Sequence, residues 1–131
     1  MANPRITKEE RGLLKGAIRR VFGRSELRKG LIERAIVPGY KDPKRKAVKF
    51  WVKCTSCGKM EAKSNVEVDH YDPVIPVDRS FDEMSLDEVV DRVWCEEGNL
   101  KIICEDCHHT KTAAENKERR RLKKLKKGVA K

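Results

Sequence analysis

The chain predicts an α+β fold, and three observations carry the prediction. Residues 8–36 place apolar side chains at helical spacing in two successive runs. Short runs rich in β-branched and aromatic residues, AVKFWVK at 47–53, VEVD at 66–69 and LKII at 100–103, have the length and composition of strands. Four cysteines form two C-x-x-C pairs, Cys54/Cys57 and Cys104/Cys107, able to staple a small core through a shared metal. With 131 residues, 38% hydrophobic and 40% charged, one compact domain is expected.

Thr7-Lys8-Glu9-Glu10 has the form of a capping box, so the first helix starts there. Leu13, Leu14, Ala17, Ile18, Val21 and Phe22 share its expected inner face, and Gly23 ends it. Ser25 caps a second helix with Leu27, Leu31, Ile32, Ala35 and Ile36 inward, stopped by Pro38-Gly39. After a polar connector, the strand at 47–53 runs into the first cysteine pair, where Gly58 suits a knuckle that needs positive φ. Pro73 and Pro76 keep the chain extended after the strand at 66–69. Ser85-Leu86-Asp87-Glu88 is a second capping box, opening a short acidic helix with Leu86, Val89, Val90, Val93 and Trp94 inward. The strand at 100–103 leads into a helix from about Asp106 to about Lys127, with KKLKKGVAK at 123–131 expected to fray. This divides the chain into a helical extension (1–46), a core (47–120) and a basic tail (121–131).

No apolar run is long enough for a bilayer, and MANPRITKEE lacks the apolar segment of a signal peptide. A soluble, cytoplasmic protein without membrane contact is expected. In a reducing cytosol, paired C-x-x-C motifs favour a metal over the alternative, two disulfides. Four thiolates with no open position suit structural Zn2+. The 46 residues between the pairs exceed the gap of a compact zinc ribbon, so the insertion has another task. Cys95 is left over and reads as a small buried hydrophobe.

The net charge of +10 is uneven. Residues 1–53 carry sixteen Lys/Arg against five Asp/Glu, residues 78–97 two against eight, and residues 117–131 nine against one. A polyanion partner on part of the surface follows, with solubility alone as the alternative.

The stretches CTSCGK, VEVDHYDPV, NLKIICEDCHHTKT and the following Glu115 set C-x-x-C, D-H, N and C-x-x-C-H-x-x-K in order. Over roughly residues 51–120 this resembles the HNH endonuclease family, most of all its small stand-alone members in bacteriophage and prophage genomes. The resemblance implies a ββα-metal (His-Me finger) core behind the two N-terminal helices. It implies His70 as general base, Asn99 as the residue fixing the loop that carries His70, and Asp69 with His108 as ligands of a catalytic Mg2+ or Mn2+. Other divalent ions also suit a carboxylate–imidazole pair. Cys54, Cys57, Cys104 and Cys107 would hold structural zinc. The implied activity is DNA phosphodiester hydrolysis, nicking or double-strand, leaving a 3′-hydroxyl and a 5′-phosphate. A neutral imidazole can take a proton from water, and a divalent ion can stabilise the charge on phosphate and leaving oxygen. The adjacent Asp69 and His70 would point to opposite sides of a regular strand, so a bend is expected there.

Thr112 stands where some family members carry a further histidine, so two protein ligands are expected, with His109 exposed and Tyr71 packed. Lys111 shares a helix face with His108 and could touch a phosphate. The run KERRRLKKLKK, with Arg119, Arg120 and Lys123, would follow DNA in a salt-sensitive, sequence-independent way, or would simply be a solvated helix end. DNA is the expected partner, with phage packaging (terminase) or recombination machinery beside it. A single site fits a monomer, with a dimer as alternative. Two other readings stay open: a non-catalytic zinc-stabilised DNA-binding accessory protein, and an interaction module that recruits a partner through the acidic helix.

Overall fold

A computed structural model describes residues 3–129. Side-chain caps set its helix starts. The Thr7 hydroxyl accepts from the Glu10 amide at 3.1 Å while the Glu10 carboxylate accepts from the Thr7 amide at 2.9 Å, which opens α1 (Lys8–Gly23). Ser25 caps α2 (Glu26–Ala35) by accepting from the Arg28 amide. Ser85 opens α3 (Leu86–Val93), but here only half of the expected capping box forms. The Glu88 carboxylate instead takes both arms of the Arg79 guanidinium, at 2.7 and 3.0 Å. A charge-assisted fork is the stronger partner.

Strands β1 (Trp51–Lys53) and β2 (Met60–Ala62) pair antiparallel. The turn between them holds Gly58 at φ +79°, the left-handed conformation anticipated from its place after Cys57. Strand β3 (Val66–His70) pairs antiparallel with β4 (Leu100–Cys104), His70 opposite Leu100 and Val66 opposite Cys104. From β4 the chain runs directly into α4 (Glu105–Val129). Among the described residues there are thus four α-helices and two small antiparallel sheets, an α+β fold. The first strand is shorter than expected, and β2, with the weak strand sequence MEA, was not anticipated.

The core is three small clusters. Phe22, Met84, Val89, Val93 and Leu100 join α1, α3 and β4. Ile32, Val52, Val66 and Ile102 join α2 to both sheets. The third consists of Ile103 and the cysteines Cys54, Cys104 and Cys107.

Two expectations are corrected. Helix α1 does not bury the face that carries Leu13, Leu14 and Val21: Leu13 is 68% and Val21 60% exposed. It buries Phe22 and Arg11, the latter only 6% exposed. The Arg11 guanidinium finds enough acceptors to be carried inside: it donates to the Phe81 and Met84 carbonyls at 3.1 and 3.0 Å and to Asp82 at 3.3 Å. Nor does the basic tail fray from residue 123. Residues 121–129 are the last turns of α4; residues 130–131 lie outside the described part. The segment is rich in strong helix formers, Arg121 pairs with Glu118, and Arg119 and Lys126 donate to the carbonyls of Ile75 and Asp78 at 2.7 and 2.9 Å. Those two bonds tie the helix to the proline-containing segment.

Candidate metal centre and adjoining cleft

The β1–β2 turn presents Cys54 and Cys57, the end of β4 Cys104, and the first turn of α4 Cys107. The turn is fastened to β4 by Thr55, whose amide and hydroxyl both donate to the Ile102 carbonyl, at 2.9 and 3.0 Å. The four sulfurs lie within 4.8 Å of one another, and Cys57 and Cys104 sulfurs are 3.8 Å apart. Zn–S bonds of about 2.3 Å in a tetrahedron require sulfur–sulfur edges of roughly 3.8 Å, so the donor set fits a structural metal of that kind.

The thiol chemistry points the same way. Burial works against ionisation of Cys54, but the amides of Cys57, Cys104 and Ser56 outweigh it and bring its pKa down to about 6. Cys107 is pushed up to about 12, chiefly by its hydrogen bond with Cys104 and by burial. One sulfur ionises readily and its neighbour resists a second charge. A cation between them removes that conflict.

One residue beyond Cys107, His108 lines a separate cleft of about 1190 Å3, together with Asp69, His70, Lys111 and Glu115. Residues of α1, β3, α3, α4 and the segment after β3 line it. Strand β3 stays paired through His70, so the bend expected at Asp69-His70 does not occur there; the chain bends only at Tyr71–Asp72. The two side chains meet different partners, as strand alternation requires. Asp69 meets α4: its carboxylate is 3.1 Å from the Lys111 ammonium, which also reaches Glu115 at 2.7 Å and the His70 carbonyl at 3.1 Å. Burial opposes the Lys111 charge, yet the bonds to Glu115 and Asp69 prevail and raise its pKa.

His70 faces the other way. Its Nε2 is 2.8 Å from the Val93 carbonyl, and its ring lies 5.3 Å from that of Phe22, which meets Trp94 edge-on at 5.6 Å. A carbonyl only accepts, so Nε2 carries the hydrogen and a neutral His70 keeps its lone pair on Nδ1. Asn99 clamps the turn that follows: it accepts from the Asp72 amide at 2.8 Å, donates to the Asp72 carbonyl at 3.3 Å, and its own carbonyl accepts from Tyr71 at 2.8 Å. Arg92 completes the clamp, donating to the Val74 carbonyl at 2.7 Å and pairing with Asp72 at 3.1 Å.

The four cysteines therefore come together, and Asp69, His70, His108 and Lys111 share one cleft with Asn99 behind its turn. Asp69 and His108 are not part of any second group of three or more metal donors among the described residues. Arg119 is tied to the Ile75 carbonyl and Asn116, whereas Arg120 and Lys123 line the cleft with no hydrogen-bond or ion-pair partner among those residues. His109 is exposed beside Glu105, and Tyr71 is exposed rather than packed. Cys95 is half-buried against the first core cluster.

Sequence reasoning missed Phe22 as a neighbour of His70, and no local pattern could have joined them across 48 positions of chain. Arg92 did leave a signal: it is one of two basic residues amid eight acidic ones at 78–97. No helix of the described residues is long and apolar enough to cross a membrane. Set against family models, curated proteins and solved structures, the chain matches none.

Proposed function

We propose that the protein is a zinc-stabilised, metal-dependent endonuclease of the HNH type, cutting DNA phosphodiester bonds, with a ββα-metal core formed by β3, β4 and the start of α4. The observation that carries this reading is the setting of His70. Its Nε2 is held by the Val93 carbonyl, its Nδ1 is left as the basic nitrogen, and it lies beside Asp69 in a cleft lined by cations. His70 would take a proton from water at Nδ1. Asn99 holds the turn behind it at Asp72. Asp69 and His108 are the residues that would hold Mg2+ or Mn2+. When bound, such an ion supplies charge neutralisation on the phosphate and the leaving oxygen.

The donor chemistry fits a cation at Asp69, since the Lys111 ammonium already stands there as one. The same contact favours a second reading. With Lys111 and Glu115 satisfied by Asp69 and each other, the cleft would bind DNA without cutting it.

A plasmid-nicking assay with Mg2+ or Mn2+ separates the two, comparing wild type with His70→Ala after both are shown to hold zinc and to melt cooperatively. Conversion of supercoiled to open-circular DNA by wild type alone supports the endonuclease. DNA binding by both with cleavage by neither, whatever the ion, replaces it with the binding module.

A further inference from the structure

Helix α1 belongs to the segment for which neither motif nor resemblance gave a task. Its Lys15 and Arg19 nevertheless line the same cleft as Asp69, His70 and His108. Arg120 and Lys123 of α4 line it as well. None of these four side chains has a carboxylate within ion-pair distance among the described residues, so their charges stay free inside the cleft. The cleft lining as a whole carries nine Lys/Arg against five Asp/Glu, and two of those five, Asp69 and Glu115, are already engaged by Lys111.

Folding brings these like charges together from opposite ends of the chain. Burial, then the neighbouring charges of Arg19 and Arg119, hold the Lys15 ammonium below the ordinary lysine range, with Asp82 only partly offsetting them. A cleft with an excess of one charge focuses its field and raises the local concentration of an anion that enters it.

We propose that α1 is the second wall of a nucleic-acid groove, with Lys15 and Arg19 binding the phosphodiester backbone together with Arg120 and Lys123, so that the strand passes over His70. This rests on the reading of the cleft as a DNA site and extends it to the N-terminal helices. It explains why the His70 ring packs on Phe22, only three residues beyond Arg19 on the same helix. One helix then supports the imidazole and grips the strand beside it. The contacts are ionic and aimed at phosphates, so they carry affinity without sequence preference.

The test is the salt dependence of binding to a short labelled duplex, with zinc-loaded full chain and no added divalent ion, so that nothing is cut. Lys15→Gln with Arg19→Gln is compared with Arg120→Gln with Lys123→Gln, and zinc content and melting temperature are checked in each. Each lost phosphate contact lowers the slope of log affinity against log salt by about 0.9, so each pair should lower it by about 1.8. That is about 60-fold weaker binding near 0.1 M salt than wild type, converging on wild type near 1 M. If the Lys15/Arg19 line superimposes on wild type while the Arg120/Lys123 line falls, α1 is no wall of the groove and the inference is overturned, with the DNA reading intact. A Lys15/Arg19 line that is weaker but parallel at every salt also overturns it, since the loss is then not ionic. If wild type itself does not bind, both readings fall together.

Discussion

Replacing Arg11 with leucine should destabilise the protein by about 3–4 kcal/mol, far more than a charged residue in the first turns of a surface helix would suggest. The figure follows from its partners. The guanidinium is buried and donates to the carbonyls of Met84 and Phe81, and its centre lies 5.0 Å from the Phe81 ring. Hydrogen bonds from a charged donor contribute roughly 1.5–3 kcal/mol each, and leaving a buried carbonyl without a partner costs about 1–3 kcal/mol. The Asp82 pair adds little, because its carboxylate is mostly in water. Against this stands the cost of desolvating the guanidinium, which leucine avoids and which takes back several kcal/mol. For a chain of this length the net loss should lower the melting temperature by about 10–16 °C. Urea and thermal unfolding of zinc-loaded Arg11→Leu and Arg11→Lys would measure it, with lysine intermediate because both carbonyls accept from the one Nη2, which an ammonium can imitate, while the Nε contact to Asp82 and the planar group over Phe81 are lost. A leucine variant within about 1 kcal/mol of wild type would refute the reasoning. It would mean that the buried charge is only tolerated there, and that the 81–84 turn gains nothing from being tied to α1.

Further outcomes can be checked separately. Wild type should bind one Zn2+ per chain with sulfur at about 2.3 Å by X-ray absorption, and Cys57→Ser should lower zinc retention and melting temperature together; full retention would remove Cys57 from the site. Asn99→Ala should speed amide exchange at Asp72 by about tenfold, as loss of about 1.4 kcal/mol of local clamping requires, and unchanged protection would show that Arg92 alone holds the turn. Phe22→Leu should cost about 1–2 kcal/mol of stability. It should also slow nicking while leaving DNA affinity unchanged, and an unaltered rate would show that the ring does not position His70. The Thr7 amide and hydroxyl hold the Glu10 carboxyl below its ordinary 4.5. Its contribution to stability is therefore complete above pH 4.5 and is lost as pH falls below that value towards the lowered folded pKa. Glu10→Gln should flatten the melting temperature against pH in that window, and an unchanged curve would show that Glu10 does not titrate with folding.

Much of this was legible where the cause is local. Capping residues, the positive-φ glycine and the C-x-x-C pairs announce themselves within a few positions, and Thr7, Gly58 and the four cysteines stand as their spacing implied. What could not be read depends on partners distant in the chain. The inward face of α1 was misassigned because apolar periodicity cannot register three acceptors waiting at residues 81–84 for a guanidinium. At the end of α4, the ties of Arg119 and Lys126 to the carbonyls of Ile75 and Asp78 reach more than forty positions back along the chain, beyond any local pattern. In the cleft, the types of residue were visible but their pairing was not. That Asp69 would face Lys111, and His70 a carbonyl on α3, is decided by the regularity of β3, which its sequence alone did not reveal.

The passage from β4 into α4 gives the cysteine cluster a mechanical consequence. Cys104 ends the strand and Cys107 lies in the first turn of a 25-residue helix about 37 Å long. The cluster is thus the bearing of a lever. A tilt of about 10° at that bearing would carry the far end through roughly 6 Å over such a length. Arg119 and Lys126 latch the outer part of the rod to the proline segment. Withdrawal of a metal from four sulfurs at one end of the rod would therefore load those latches at the other, and with them the gap between Lys123 and α1.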